Sequence, residues 1–415
     1  MFSETIELRG HIIDNQTLPK VLDQIIAYGA DYIIERINIG HSRRDKSYAK
    51  IRIEAPDDKI LHNLLELVTR FGATLTESRD AVLERAPRNG VLPDDFYATT
   101  NLPTEILLRK HWIPVANTEM DCVIVTHPKR RAARCLRMHH VKKGDWVVTG
   151  HVGIRVEPAP RAIEPQTFAF MGSAVSSEKP KLLAIREIVR QMRATHQAGK
   201  KILFVGGPAI IHTGAGAHLE RLIETRYVDI LFAGNALAAH DIEAAFFGTS
   251  LGVSLSSGVS VEHGHENHLR AINRIRAAGS IAAAIKKHIL KSGVMRACVK
   301  QRVPFVLSGS PRDDGPLPDV ITDMLKAQDA MRAQLRNVGL ALMVGTTLLS
   351  VATGNMLSSS VKIICVDINP AVVTKLADRG TFQAMGLVTD AELFLRSLTY
   401  ELSLNAPLLT TNTHK

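Results

Sequence analysis

From residue 176 onward, apolar and polar residues alternate in a regular helix–strand order. The segment SSEKPKLLAIREIVRQMRATHQAG places its large apolar residues on one helical stripe and ends at a glycine. Between the later amphipathic runs stand segments that are apolar at nearly every position: KILFVGG, VDILFAGN, VPFVLSGS, LALMVGTT and VKIICVDIN. Such runs are typical of strands buried on both faces of a parallel sheet. The pattern predicts an α/β domain with a parallel sheet over residues 176–405, with a helix break at Gly279.

Residues 1–90 follow a different order. TIELRGHIID, DYIIERINIG and SYAKIRIEAP alternate like half-buried strands, while LPKVLDQIIAYGA and DKILHNLLELVTRFGA have helical spacing. TLTESRDAVLERAP supplies a final extended stretch. The resulting β-α-β-β-α-β order predicts a small α+β domain of the ferredoxin-like plan. Such domains bind regulators or build oligomers, and a purely structural role is equally open.

The segment 91–165 contains short strand-like runs and no long helix. FYATT, HWIPV, DCVIVT, WVVTG and GIRVEP are separated by turn residues, which predicts a small β-rich module. The stretch EPAPRAIEP at 157–165 has the proline content of a linker.

Composition places the chain among globular proteins and limits its compartment. The 415 residues are 45% hydrophobic and 22% charged, and this length fits about two to four domains. No apolar run approaches the ~20 residues of a membrane helix, and the N-terminal segment lacks the apolar core of a secretory signal. Four scattered cysteines without a CxxC pair argue against a zinc knuckle or disulfides and favour the cytoplasm.

The net charge of +10 is concentrated in part in HPKRRAARCLRMHHVKK at 127–143. A basic run of this kind binds nucleic acid or membranes in some proteins. Here few aromatic residues are available to stack on bases, and no nucleic-acid motif is present. We therefore expect a solvated loop or a pocket for small anions, with no nucleic-acid or membrane partner.

Small or glycine-rich turns follow four of the predicted parallel strands: GGPAIIHTGAG, AGN, SGS and GTT. The carboxyl ends of parallel strands share one sheet edge, where ligands bind, and glycine lets the backbone approach a phosphate. None of these turns is a strict G-x-G-x-x-G, which favours a cofactor domain other than a standard Rossmann half. The predicted dinucleotide-binding residues are Gly206, Gly207, Thr213, Gly214, Ala215, Gly216, Gly234, Asn235, Gly309, Ser310, Gly345, Thr346, Thr347, Asp367 and Asn369.

The acid at the end of VKIICVDIN bears on the choice of cofactor. A carboxylate at a strand end can bind both ribose hydroxyls and repel a 2′-phosphate, so Asp367, followed by Asn369, favours NAD over NADP. The alternative is that these residues cap a helix that begins at Pro370, and both roles are compatible.

The segment GVSVEHGHENHLRAINRIRAAG is unusually polar for this domain. His263 or His265 could act as a general acid or base, and Arg270 could bind a substrate carboxylate. The alternative is a solvated loop with a capped helix. An HxH pair without further well-spaced ligands is a nonspecific metal signal, so no metal is predicted.

A second polar cluster lies in the β-rich module, in FYATTNLPTE and EMDCVIV. Asn101, Glu119 and Asp121 are candidates for a pocket wall. Cys122 could be a nucleophile, but a lone cysteine beside valine and isoleucine is more often a small buried hydrophobe.

Together these segments resemble the LOR/SDH conserved-domain family. The resemblance rests on FYATTNLPTEILLRKHWIPV, VKKGDWVVTGHVGIRV, GGPAIIHTGAGAHL, AGNALAAHDIE and VDINPAVVTKLADRG, and covers nearly the whole chain. The family includes archaeal-type NAD-dependent ornithine cyclodeaminases and the C-terminal part of cyanobacterial arginine dihydrolase/ornithine cyclodeaminases. The resemblance implies a cofactor domain of the deoxyhypusine synthase/transhydrogenase domain III type. It also implies conversion of L-ornithine to L-proline and ammonia with recycled NAD, and a homo-oligomer.

The chemistry of this reaction assigns roles to the polar clusters. Arg270 would anchor the substrate carboxylate, Asp121 or Glu119 would bind the δ-ammonium, and His263 or His265 would be the base near the α-amine. Asn101 is a further candidate. Two alternatives stay open: a net amino-acid dehydrogenase or deoxyhypusine-synthase-like transferase, and a non-catalytic NAD-sensing module.

Overall fold

A computed structural model of the chain describes residues 2–13, 16–41, 45–75, 79–129, 131–157, 175–176, 181–262, 264–313, 315–378 and 384–404. Its first compact unit is Met1–Pro165 with Asn355–Ser360, and its second is Gln166–Gly354 with Val361–Lys415. Most of the predicted linker at 157–165 lies outside the described residues. Within the described part of the chain, no helix combines the length and apolarity that crossing a membrane requires.

The first unit begins with a four-stranded antiparallel sheet and two helices. The sheet order is β2-β3-β1-β4, which is the spatial order of a split βαβ plan. Strand β3 alternates buried and half-buried residues, and its buried side contacts the apolar stripes of both helices. The elements are β1 (Phe2–Gly10), α1 (Thr17–Ala27), β2 (Asp31–Asn38), β3 (Ser47–Ala55), α2 (Asp58–Arg70) and β4 (Ala73–Leu75).

A seven-stranded sheet forms the rest of the first unit, in the order β11-β6-β7-β9-β8-β10-β5. Its alternate residues pack inward around Tyr97 and Ile124. The strands are β5 (Val82–Arg85), β6 (Thr104–Leu108), β7 (His111–Ala116), β8 (Val123–Thr126), β9 (Ala133–Leu136), β10 (Trp146–Thr149) and β11 (Ile154–Val156).

One sequence boundary was wrong. TLTESRDAVLERAP was predicted as a single stretch of the first domain, but β4 pairs with β1 and β5 pairs with β10 of the second sheet. The chain is turned toward the second sheet at Asp80, whose carboxylate accepts the backbone N–H groups of Arg109 and Lys110. The second sheet therefore begins before residue 90.

The second unit is built on an eight-stranded sheet in the order β12-β21-β20-β19-β13-β14-β17-β18, and every pair in it is parallel. Its strands are β12 (Val175–Ser176), β13 (Lys201–Gly206), β14 (Ile230–Gly234), β17 (Phe305–Ser308), β18 (Val320–Ile321), β19 (Val338–Val344), β20 (Lys362–Asp367) and β21 (Ala384–Val388). A separate hairpin consists of β15 (Thr249–Ser250) and β16 (Val253–Ser254). All seven residues of β19 are buried, as the apolar pattern predicted.

Helices connect these strands. They are α3 (Lys181–Gln197), α4 (Ala209–His212), α5 (Gly216–Glu224), α6 (Asn235–Phe247), α7 (Asn267–Ala278), α8 (Ile281–Lys286), α9 (Val294–Gln301), α10 (Met324–Gln334), α11 (Leu348–Met356), α12 (Pro370–Asp378) and α13 (Ala391–Leu404). The predicted break at Gly279 is confirmed, since α7 ends there with a φ of 101° that favours glycine.

The order of the central strands corrects one expectation. The two-residue edge strand β18 is left out of this count. Numbered along the chain from β13, the remaining strands stand side by side in the order third, second, first, fourth, fifth and sixth, as β17, β14, β13, β19, β20 and β21. This is the order of the standard doubly wound dinucleotide-binding fold. The expectation of a non-standard fold was therefore wrong, because the sequence of a phosphate turn does not determine the order of the strands around it.

Candidate functional site

The centre of the sheet edge lies between β13 and β19, where the strand order reverses and ligands of this fold class bind. Gly207 follows β13 and Gly345 follows β19. Gly207 donates its N–H to the Val344 carbonyl at 2.9 Å, and a Cβ added at Gly207 would lie 1.8 Å from the Gly345 oxygen. The two turns thus touch through their backbones and leave no room for a side chain at Gly207.

The segment after Gly207 forms α4 and a tight turn before α5. The Thr213 hydroxyl donates to the Ala209 carbonyl at 2.9 Å. Gly214 has a φ of 83° and open space around its Cβ position, while Ala215 is fully buried. Gly216 then begins α5. Glycine is needed at residue 214 for its backbone conformation, and this leaves the turn open to a ligand.

In the turns after β14 and β17, two predicted side chains form hydrogen bonds within the protein. The buried Asn235 accepts the N–H of Leu317 at 3.0 Å through its Oδ1 atom. The Ser310 N–H donates to Asp313 Oδ2 at 2.8 Å, and the Ser310 hydroxyl accepts the Arg312 N–H. The Gly309 N–H likewise donates to the Ile321 carbonyl at 3.0 Å, so these turns are held mainly by contacts within the protein.

At the end of β20, both predicted side chains have local partners. Asp367 Oδ1 accepts the Asn369 N–H at 2.9 Å, and Asn369 Oδ1 accepts the Ala371 N–H at 3.0 Å. Asn369 therefore caps α12, which begins at Pro370. The Thr346 and Thr347 carbonyls likewise receive the Ser350 hydroxyl and the Val351 N–H at the start of α11.

The prediction that the glycine turns share one edge is confirmed. The strands β17, β14, β13, β19 and β20 are neighbours in that order and all run in the same direction. Their carboxyl ends therefore form a continuous row. This row brings together the predicted cofactor-binding residues, and Asp367 stands at its β20 end.

Helix α6 contains buried polar residues that the sequence analysis missed. His240, Asp241 and Glu243 are all buried. Asp241 accepts the Val294 and Met295 N–H groups at 2.8 and 2.9 Å, so it holds the start of α9. The available signal was the sequence HDIE inside the otherwise apolar NALAAHDIEAAFF. A helix that is apolar on every side is buried, so its charged residues needed buried partners.

The polar segment around residue 265 contains the two histidines predicted as acid or base and Arg270. His263 and the side chain of His265 lie outside the described residues. Arg270 is exposed on α7 and pairs with Glu266 one helical turn earlier, with 3.1 Å between Arg270 Nε and Glu266 Oε2. Such an exposed pair contributes little stability, so the guanidinium can exchange this carboxylate for another at small cost.

Thr99 organises the polar cluster of the first unit. Its hydroxyl donates to the Glu119 carbonyl at 2.6 Å and accepts the Cys122 N–H at 3.1 Å. The Glu119 carboxylate accepts from the Cys122 thiol and from Arg137. Asp121 is exposed, with a φ of 59°. The structure thus groups Glu119, Asp121 and Cys122 around one threonine.

Asn101 lies two residues beyond Thr99 and is almost fully buried. Its carbonyl accepts the Ser359 N–H at 3.1 Å. Its Nδ2 atom is buried and has no hydrogen-bond partner within the described residues. A buried amide without a partner is costly, which makes Asn101 a candidate for contact with a polar ligand.

The interpretation of Cys122 as a small buried hydrophobe is confirmed. Burial, followed by the charge of Glu119, raises the pKa of the Cys122 thiol well above its usual range. Burial also raises the pKa of Cys135 to about 11. Both thiols are therefore protonated at neutral pH and poor nucleophiles.

Three family models cover most of the chain. The C-terminal Rossmann-fold model of ArgZ-like arginine dihydrolases matches residues 186–398. The conserved region of the LOR/SDH bifunctional enzyme matches residues 3–102, and the first C-terminal region of ArgZ-like arginine dihydrolases matches 103–185.

Individual proteins are similar over nearly the full length. An ornithine cyclodeaminase of Methanocaldococcus jannaschii is 51% identical over 97% of this chain and 96% of its own. The crystal structure of a LOR/SDH protein of Methanococcus maripaludis is 49% identical, with a TM-score of 0.75 over 79% of this chain and 99% of that one. The ternary complex of AgrE with ornithine and NAD⁺ is 40% identical, with a TM-score of 0.53 over 97% of this chain and 58% of AgrE.

Proposed function

Because this chain belongs to the family of ArgZ-like C-terminal regions with the LOR/SDH conserved region, we propose that it converts L-ornithine to L-proline and ammonia with recycled NAD. The observation that carries this proposal is the full-length similarity to archaeal proteins named ornithine cyclodeaminase. The name belongs to those archaeal relatives and the complex with ornithine and NAD⁺ to AgrE, and the residues of this chain supply independent support.

The carboxyl edge of the second unit fits a dinucleotide. It combines the doubly wound strand order with the close backbone packing of Gly207 on Gly345 and with an open turn at Gly214. No acid follows β14, where this fold usually carries its ribose-binding carboxylate. Asp367, the last residue of β20, would take that role, which supports NAD binding with the ribose on the β20 side of the sheet. The other turn residues predicted from the sequence would contact the cofactor mainly through their backbone atoms.

When bound, NAD would accept a hydride from the substrate α-carbon and return it to the cyclised imine, so the cofactor would show no net redox change. The chain must bind one carboxylate and two ammonium groups of ornithine. Arg270 offers an exposed guanidinium for the carboxylate. Asp121 is a better partner for the δ-ammonium than Glu119, because the Glu119 carboxylate already pairs with Arg137. The buried amide of Asn101 is a further polar contact.

The proposal includes a location in the cytoplasm, where the protein would act on a small amino acid. The four free cysteines are buried, which fits a reducing cytoplasm. Homo-oligomerisation, expected from the sequence resemblance, is part of the same proposal.

A single assay tests the activity. Purified protein is incubated with ornithine and a catalytic amount of NAD, and proline, ammonia and the NADH absorbance band are followed. Proline formation without accumulation of NADH is the expected result. Stoichiometric NADH would instead identify a net dehydrogenase, and the absence of turnover with ornithine and other basic amino acids would leave an NAD-sensing role.

A further inference from the structure

Three histidines of the second unit lie close together near the carboxyl edge of the parallel sheet. None of them has a role predicted from the sequence. His212 is on α4, His240 on α6 and His268 on α7. The ring centroids of His212 and His240 are 4.7 Å apart, and those of His240 and His268 are 6.0 Å apart. Imidazoles are the side chains best suited to move protons near neutral pH, so this cluster is a candidate for acid or base catalysis.

Glu243 anchors this cluster. Its carboxylate is fully buried, and a buried carboxylate requires several donors. Oε2 lies 2.8 Å from His240 Nδ1, and Oε1 accepts the Thr249 hydroxyl at 2.8 Å and the Gly252 N–H at 3.1 Å. Burial alone would raise the pKa of Glu243, but these hydrogen bonds outweigh it and the pKa is lowered. Glu243 is therefore ionised, and His240 carries a proton on Nδ1.

His240 in turn packs directly against the ring of His212. The two rings meet edge to face, with an interplanar angle of 67°. His212 Nδ1 is 2.7 Å from the Ser250 hydroxyl oxygen. With Nδ1–H donated to Ser250, the lone pair of His212 is on Nε2, which leaves this atom to accept a proton from a ligand.

Burial, more than the neighbouring charges, keeps His212 neutral. Burial and then the electrostatic effect of His240 lower the pKa of His212 to about 4, against a smaller raising effect of Glu243. The other helix packed on α4 is α13, whose Glu392 and Glu401 are paired with Arg396 and Arg186. His212 is thus unprotonated at neutral pH, the state that a base requires.

The position of His212 connects this cluster to the cofactor. His212 ends α4, the single helical turn that follows β13 and Gly207. It is followed directly by Thr213 and the open Gly214 turn. Substrates of doubly wound enzymes meet their cofactor at this edge.

We propose that His212 is the general base that takes a proton from the substrate α-ammonium, and that His240 and Glu243 are positioning residues for it. This proposal rests on the proposed cyclodeaminase function. In this step the N–H bond of the ammonium breaks and a bond from the proton to His212 Nε2 forms. The electron pair stays on the amine nitrogen, where it forms the C=N bond as the α-hydrogen leaves as hydride to NAD. This role replaces the one that sequence reasoning gave to His263 or His265.

The first test compares His212→Asn with wild type and with His196→Asn. His196 pairs with Asp229, which directly precedes β14 and so lies at the opposite edge of the sheet. We expect His212→Asn to lower kcat for proline formation by about 10²- to 10⁴-fold, with the NAD dissociation constant changed less than threefold. His196→Asn should keep wild-type kcat.

The second test addresses the positioning role through the pH profile of kcat/KM. His240→Asn removes the smaller of the two effects that lower the pKa of His212, so the acid limb should move to higher pH by about one unit, toward the ordinary histidine value. Ser250→Ala keeps every charge and should lower kcat about tenfold without moving that limb. Circular dichroism and NAD titration verify that each variant is folded.

The outcomes are distinct. Wild-type protein that makes no proline contradicts the proposed function and with it the role of His212. An active wild type with a His212→Asn variant within tenfold of its kcat overturns the role of His212 alone. A folded His240→Asn variant with an unmoved acid limb overturns the positioning role.

Discussion

The backbone of Gly207 contacts that of Gly345 so closely that a Cβ at residue 207 would lie 1.8 Å from the Gly345 carbonyl oxygen. These residues directly follow the two strands that flank the reversal of strand order. Because the contact is between backbones, no change of side-chain rotamer can relieve an overlap there.

We therefore expect Gly207→Ala to destabilise the protein by about 1–3 kcal/mol, in the range of overpacking substitutions, and to weaken NAD binding. Gly234→Ala is the matched control, since the nearest atom to its Cβ is 3.8 Å away. Urea denaturation of both variants compares their stability, and NAD titration of Gly207→Ala against wild type measures the effect on binding. A Gly207→Ala protein as stable as Gly234→Ala would contradict this description of the turns.

Asp367 should determine the preference for NAD. Hydrogen bonds to a charged group contribute about 1.5–3 kcal/mol, so Asp367→Ala should weaken NAD binding about ten- to hundredfold and raise the relative affinity for NADP. Asp323→Ala is a suitable control, because Asp323 follows β18 and caps α10 through the Leu325 and Lys326 N–H groups. Calorimetric titration with both nucleotides gives the comparison. Unchanged NAD affinity in Asp367→Ala would refute the ribose assignment.

Asp241 should make stability depend on pH. Burial raises the pKa of Asp241 from 3.8 to about 7. The hydrogen bonds from two backbone N–H groups oppose this shift, and the charge of Glu220 adds a smaller raising effect. The native state therefore binds a proton more tightly than the unfolded chain. The stability that this group contributes is fully present below about pH 3.8 and is lost as the pH rises through about 7.

The matched variant for this prediction is Asp241→Asn, which cannot titrate. The unfolding free energy of wild type minus that of Asp241→Asn should decrease between pH 5 and pH 8, with a slope of at most about 1.4 kcal/mol per pH unit. Urea denaturation at several pH values, followed by circular dichroism, measures this difference. A difference that increases with pH would show that the two N–H bonds dominate over burial.

The four cysteines should be unreactive in the native protein. All are buried and free, and burial raises the pKa of each thiol. A disulfide reagent such as dithionitrobenzoate should label none of them until denaturant is added, and then all four. Rapid labelling of Cys122 in the folded protein would revive its assignment as a nucleophile.

The parallel sheet could be predicted because its strands are buried on both faces and therefore uniformly apolar. KIICVD and GLALMV are of this kind, and each became a central strand. The helices α9 and α11 were missed because each has only eight or nine residues and no long amphipathic stripe. Their positions depend on tertiary partners, such as Asp241 at the start of α9.

The candidate site was predicted less completely than the fold. Glycine turns mark the cofactor edge because backbone geometry restricts the residue type there. The functions of polar residues depend on partners far away in the sequence. Asn235 accepts a hydrogen bond from Leu317, and Glu243 accepts one from Thr249 in the β15–β16 hairpin. No local sequence pattern distinguishes polar residues with such structural contacts from those that bind a ligand.

The six residues Asn355–Ser360 complete the first unit although they come after most of the second. Met120 donates its N–H to the Asn355 carbonyl, and Ser359 donates to the Asn101 carbonyl, each at 3.1 Å. On the ribosome, Asn101 and Met120 therefore emerge more than two hundred residues before these partners are synthesised. The polar cluster around Thr99 reaches its final form only near the end of translation. A fragment that stops at residue 165 would therefore lack the hydrogen-bond partners of Asn101 and Met120.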